Sequence, residues 1–350
     1  MERLKRLDGA RGLLAVYVML GHALPLTTAP LWAQSAFRHG QAAVDLFFAL
    51  SGLVIAFSLA RHGGAFLPFM AARARRLFPV YLPVLAASIA LAALGDPLRH
   101  IPWAGTPARD IMSPGLPVPL WPHILAHLTL LHGIIPQAVL PYAYVTLLGP
   151  AWSLSTEWQF YLLIALIAPR NLGAFALALL ALGGLWHGLP YAALFSRAFL
   201  PDAAPYFALG LASAAWLQGE RRALMPCLIG ACLTGLAASP DKALPPLIWA
   251  AIFLAQHKNW GAWLETPALR YLGAISYPLY LVNEPAQRAT ALLLGPALQA
   301  HPALFSTLFM ANSLALSFIL AMLLHKGVER PCMRGREKLL LPIIASPARQ

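Results

Sequence analysis

Arg11 and His22 share the stretch RGLLAVYVMLGH, a segment otherwise suited only to lipid. Ionisable groups are expensive inside a bilayer and therefore point to function. The two positions are eleven residues apart, which on a helix puts both side chains within about 20° of one face and roughly 16 Å apart along the axis. This spacing predicts Arg11 at the membrane edge and His22 near mid-depth. A neutral imidazole at that depth can take a proton from a hydroxyl, the work of a general base. The plainer reading is a histidine hydrogen-bonded within helix packing.

Other costly groups follow. VDLFFALSGLVIA carries Asp45 near the outer end of a second span and Ser51-Gly52 near its middle. Asp45 could orient an imidazole as a carboxylate does in a catalytic dyad, or face water at the interface. Ser51 and Gly52 would let a ligand or another helix come close. FMAARARRLFPVY places Arg73, Arg75 and Arg76 together, which reads as a cytoplasmic loop. Arg73 and Arg76 are a good seat for phosphates, though such a run also anchors topology without a ligand. AWSLSTEWQFYLL puts Glu157 about 20 Å from Arg170, level with His22 and Ser51. Three polar groups from three spans thus converge in depth, where packing accidents would scatter.

The elements that must position these residues are membrane helices. Only 11% of residues are charged and 59% are hydrophobic, against about 25% charged in a soluble domain. The net charge of +12 sits in short clusters between apolar runs, the pattern of cytoplasmic loops, so nucleic acid is not an expected partner. Ten spans are expected, at about 10–27, 41–60, 77–95, 151–169, 172–188, 203–218, 223–239, 244–257, 272–294 and 304–325. This layout puts nineteen basic residues on one side. Only Arg38, Arg99, Arg109, Arg197 and Lys242 lie on the other, and Arg288 falls inside a span. The excess predicts both termini in the cytoplasm and the chain in the cell inner (plasma) membrane.

The stretch 123–140 is apolar enough to span, but an eleventh crossing would invert every later loop, so it reads as a re-entrant or interfacial helix. The Pro-rich loop 95–122 before it is the natural place to meet a substrate from outside. His123, His127 and His132 have partly metal-like spacing but no accompanying carboxylate, and no metal is expected. Tyr271, Ser276, Tyr277 and Tyr280 read as an interfacial band with packing, and Glu284 as a buried charge without an evident role. Cys227, Cys232 and Cys332 suggest no disulfide. A cleaved signal peptide at the N-terminus is disfavoured because its apolar region would contain Arg11 or His22. One membrane domain over 1–335 is expected, followed by a basic cytoplasmic tail over 336–350.

Taken in order, RLDGARGLLAVYVMLGH, VDLFFALSGLVIA, RARRLFP, WSLSTEWQFYLL, LGAISYPLYL and VERP resemble the acyltransferase 3 family of integral membrane acyltransferases, which O-acylate bacterial surface polysaccharides and other hydroxyl-bearing acceptors. The resemblance implies that Arg11, His22, Asp45, Ser51, Gly52, Arg73, Arg76 and Glu157 are associated with activity. It also implies acetyl-CoA as the usual donor and an acceptor across the membrane. Leu53 stands where the family usually has phenylalanine, and Asn283 where it usually has histidine.

The combined expectation is an all-α, ten-span membrane O-acyltransferase. Arg73 and Arg76, with Ser51 and Gly52, would hold acyl-CoA, and His22 would deprotonate the acceptor with Asp45 or Glu157 orienting it. Arg11 would contact the coenzyme or the oxyanion. Expected partners are acyl-CoA, a carbohydrate or lipid-linked acceptor and membrane lipids. The rival reading is a transporter of an anionic or sugar-like solute that uses the same buried charges.

Overall fold

A computed structural model describes residues 5–258 and 260–334. Among them there is no strand, and ten α-helices have 14 residues or more. These are α1 (Lys5–Ala23), α2 (Gly40–Arg61), α3 (Phe66–Ala93), α4 (Ala151–Ile167), α5 (Leu172–His187), α6 (Leu200–Leu217), α7 (Leu224–Ala238), α8 (Leu244–His257), α9 (Pro267–Leu298) and α10 (Pro302–Leu324). The expected tail over 336–350 lies outside the described residues.

Local chemistry sets several boundaries. Ala168 closes α4 in the left-handed region at φ 42°, and Pro169 behind it cannot continue the helix. Asn171 then caps α5, its side-chain oxygen accepting from the Ala174 N–H at 2.7 Å, one of the orphan donors of a helix start.

Each expected span falls on one of these helices, but length and apolarity qualify only four stretches to cross a membrane among the described residues: Arg6–Leu26, Leu31–Arg61, Phe66–Ala93 and Pro302–Met333. Helices α4 to α8 have 14 to 18 residues, at most about 27 Å against a hydrocarbon core of about 30 Å. Helix α9 is long but carries Arg270, Glu284 and Arg288. The protein is thus an all-helical membrane protein with several apolar helices, and the figure of ten spans stays an expectation.

The third helix departs most from the sequence reading. It begins at Phe66 rather than near 77, so Arg73, Arg75 and Arg76 lie within α3 and not on a loop. The alanines between them favour helix, and arginine is itself a good helix former. The stretch 123–140 contributes a nine-residue helix (Leu120–Leu128) and a 3-10 turn (His132–Ile134) rather than one continuous helix.

Two close crossings hold the bundle together. A Cβ on Gly12 of α1 would lie 2.7 Å from the Gly273 nitrogen of α9, and one on Gly52 of α2 would lie 3.2 Å from Gly210 Cα of α6. Without side chains there, the backbones come into contact, the small-residue mode of membrane helix packing. The loop 95–122 folds back as a cap: Leu98, Ile101, Ala108 and Met112 are buried with Phe305 and Phe309 of α10. Arg288 of α9 fastens it, donating to the Ser113 carbonyl at 2.7 Å and the Ser113 hydroxyl at 2.9 Å.

Candidate active site

Where α1, α3, α9 and the end of α10 meet, a vestibule of about 500 Å³ opens, lined by Arg11, Arg73, Arg75, Arg76, His325 and Glu329 among others. It shares Arg11, Val54, Arg73 and Arg76 with a narrower chamber of about 120 Å³. The chamber runs between α2, α4 and α9, with Ser51, Glu157, Tyr161, Tyr277 and Tyr280 in its walls. A wide basic mouth therefore leads into a thin, partly aromatic channel.

The arginines differ in how they are satisfied. Arg76 forms an ion pair with Glu329, lies 5.0 Å over the Tyr277 ring and meets Met333 sulfur at 3.7 Å. Glu329 also takes His325 Nδ1 at 2.7 Å. Arg11 and Arg73 make no ion pair among the described residues, and the Nε of each is buried without a hydrogen-bond partner. Buried donors left open are costly unless an acceptor arrives, and a phosphate supplies several.

Deeper in, Ser51 Oγ donates to Glu157 Oε1 at 2.5 Å, and the Tyr161 hydroxyl, one turn along α4, donates to the same oxygen. Ser153 and Tyr280 join hydroxyls at 2.9 Å, and Tyr277 donates to the Leu77 carbonyl at 2.7 Å. The Tyr280 ring meets Phe47 edge-on, with centroids 5.9 Å apart.

The structure thus brings Arg11, Ser51, Arg73, Arg76 and Glu157 to one cavity. The other three expected residues lie elsewhere. His22 is at the opposite end of α1, half-buried, with Nδ1 2.9 Å from Asn283 Oδ1. Its partner is a carboxamide and not the expected carboxylate, because α9 rather than α2 or α4 faces it across the close α1 crossing. Asn283 is one turn beyond Tyr280 on α9, about 4.5 Å along the axis, so the imidazole lies past the end of the chamber. Asp45 is buried and accepts from Gln41 Nε2 at 2.9 Å, leaving Oδ2 without a partner. Gly52 faces α6 and not the cavity.

The sequence reading passed over Ser276, Tyr277 and Tyr280 as band and packing, yet all three line the chamber. Tyr161 could have been found from its four-residue spacing to Glu157, which places both on one helix face. Glu284 accepts from the Gly149 N–H at 2.6 Å, which gives that buried carboxylate a structural partner.

Among the described residues no group of three metal-capable side chains gathers. His127 and His132 stack at 4.1 Å with nearly parallel rings, and His123 meets Thr146 Oγ1 at 2.8 Å. Burial pushes His127 down to about 4, with the neighbouring His123 ring adding to it against the hydrogen bond that His127 makes to the His123 carbonyl. Burial drives His132 well below its ordinary value as well, His127 adding to the effect.

The profile of a family described as an acyltransferase domain, acyltransferase 3, matches residues 4–324. The chain is 27% identical over 392 aligned residues to "Acyltransferase MdmB" of Streptomyces mycarofaciens, covering 99% of this chain and 95% of that protein. It is 38% identical over 93 residues to "Protein 2 in picA locus" of Rhizobium radiobacter, which covers 24% of this chain and 44% of that one. No solved structure matches the chain.

Proposed function

We propose, from the premise that this chain belongs to the acyltransferase 3 family of membrane acyltransferases, that it moves an acyl group, acetyl by preference, from cytoplasmic acyl-CoA to a hydroxyl of a cell-surface glycan or lipid-linked sugar. The observation that carries the reading is the pair of open guanidinium nitrogens, on Arg11 and Arg73, in a vestibule that narrows to a thin chamber. A coenzyme A thioester has that shape: a broad, polyanionic head and a slender arm. The basic clustering of the sequence supports a cytoplasmic vestibule, with both termini on the same side of the inner membrane.

In this reading Arg11 and Arg73 take the phosphates, with Arg76 joining once it exchanges Glu329 for the anion. The arm lies along Ser51, Glu157 and Tyr277, and the thioester reaches past the Phe47–Tyr280 pair toward His22. His22 accepts the proton of the acceptor hydroxyl as its oxygen attacks the thioester carbonyl. The carbon–sulfur bond breaks, and the proton passes from the imidazole to the departing thiolate. No metal takes part in the scheme.

The test uses membranes containing the protein and acetyl-CoA labelled in the acetyl group. Label should become covalent in hydroxyl-bearing envelope material, and His22→Ala should cut the rate by at least about 10²-fold, the low end of general-base contributions. Unchanged turnover in that variant with normal membrane insertion removes His22 from the chemistry. Solute movement without covalent transfer would favour a transporter.

A further inference from the structure

His22 and Asn283 meet across the α1–α9 contact, ring nitrogen Nδ1 to carboxamide oxygen at 2.9 Å. The other end of the carboxamide is fixed, because Asn283 Nδ2 donates to the Tyr280 carbonyl at 2.5 Å. A carbonyl can only accept, so the amide nitrogen must lie on that side and the amide oxygen must face the ring. An oxygen acceptor opposite Nδ1 requires Nδ1 to carry the hydrogen. Asn283 is fully buried. One turn further along α9, Gln287 Nε2 donates to the Met19 carbonyl of α1 at 3.0 Å, which holds the two helices in register beside the pair.

We propose that Asn283 is a positioning residue that holds His22 as its Nδ1–H tautomer, so that the lone pair on Nε2 is the one presented to the acceptor hydroxyl. The inference rests on the reading of His22 as general base. An imidazole without such a partner distributes its hydrogen between both nitrogens, and only one of the two forms has a lone pair on the productive side. During transfer the hydroxyl proton goes to Nε2 while the other hydrogen stays on Nδ1, donated to the Asn283 oxygen. The ring then returns the Nε2 proton to the thiolate and recovers its starting form.

The test compares Asn283→Leu, which keeps the volume but removes the acceptor, with Asn283→Asp, which keeps an oxygen toward Nδ1. Asn283→Leu should lower kcat by about 10²-fold, on the scale of a general-base contribution, with KM for acetyl-CoA unchanged because the arginine vestibule is untouched. Asn283→Asp should recover kcat to within about tenfold of the parent. Nitrogen NMR of histidine-labelled protein, with His22 assigned by difference from His22→Gln, should show hydrogen on Nδ1 in the parent and a mixture in Asn283→Leu. Parent-like kcat in a well-inserted Asn283→Leu, or hydrogen on Nε2 of His22 in the parent, overturns the inference. Full activity in His22→Ala instead defeats the general-base reading, while the NMR result still decides whether Asn283 sets the tautomer.

Discussion

Ser51 of α2 donates to Glu157 of α4 across 2.5 Å, and this hydrogen bond joins two helices at the wall of the chamber. Tyr161 donates to the same carboxyl oxygen. Ser51→Ala leaves the partly buried oxygen with one donor, at a cost of about 0.5–1.5 kcal/mol, the net worth of a typical hydrogen bond. A thermal melt in detergent should show this loss, and the double variant with Tyr161→Phe should lose more than the two single changes summed. Strict additivity would mean that the two hydroxyls do not act on one acceptor.

Gly52 faces the Phe207 carbonyl and Gly210 of α6, with no room for a methyl group. Gly52→Ala should therefore cost about 1–3 kcal/mol through overpacking and lower the yield of folded protein. The fraction that folds should keep the parent KM for acetyl-CoA. A selective rise in KM with full stability would return Gly52 to the donor site.

Cys332 is exposed and lines the vestibule beside Met333, while Cys227 is buried in α7. A maleimide should label Cys332, and acetyl-CoA at ten times its Kd should slow the labelling by about tenfold, since only about one protein in eleven is then unliganded. Labelling that ignores acetyl-CoA would place the donor elsewhere. Cys332→Ser supplies the background.

The stacked pair His127 and His132 predicts loss of stability in acid. Burial holds His127 down to about 4 and His132 well below its ordinary value. Between pH 6.5 and about 4 the unfolded chain therefore binds more protons than the folded one, and stability rises with pH across that window. The melting temperature should fall as pH drops from 7 to 5. His132→Leu should flatten the dependence, and an equally steep profile in that variant would assign the acid sensitivity to other groups.

Much of this was legible in the sequence because apolar length and basic clustering are one-dimensional signals. The ten expected segments coincide with ten helices, and the motifs around Arg11, Ser51, Arg73, Arg76 and Glu157 meet in one cavity. Two things were hidden. Charge reads as loop, yet Arg73 and Arg76 lie on α3 because alanine and arginine favour helix whatever the solvent. Depth along a helix also says nothing about which neighbour a side chain faces: His22 was placed level with Ser51 and Glu157, but it faces Asn283 on α9. Tyr277 and Tyr280 were concealed in the same way, since an aromatic that lines a channel has the spacing of one that packs.

The central claim is that Arg11 and Arg73 form the seat for the phosphates of the donor, and equilibrium binding of acetyl-CoA to the purified protein tests it most directly. A charge-assisted hydrogen bond contributes about 1.5–3 kcal/mol, so Arg11→Gln and Arg73→Gln should each weaken binding by at least about tenfold. Arg76→Gln should weaken it less, because Glu329 already occupies that guanidinium. Parent affinity in the Arg11→Gln and Arg73→Gln double variant, with the helical fold intact, would contradict the account.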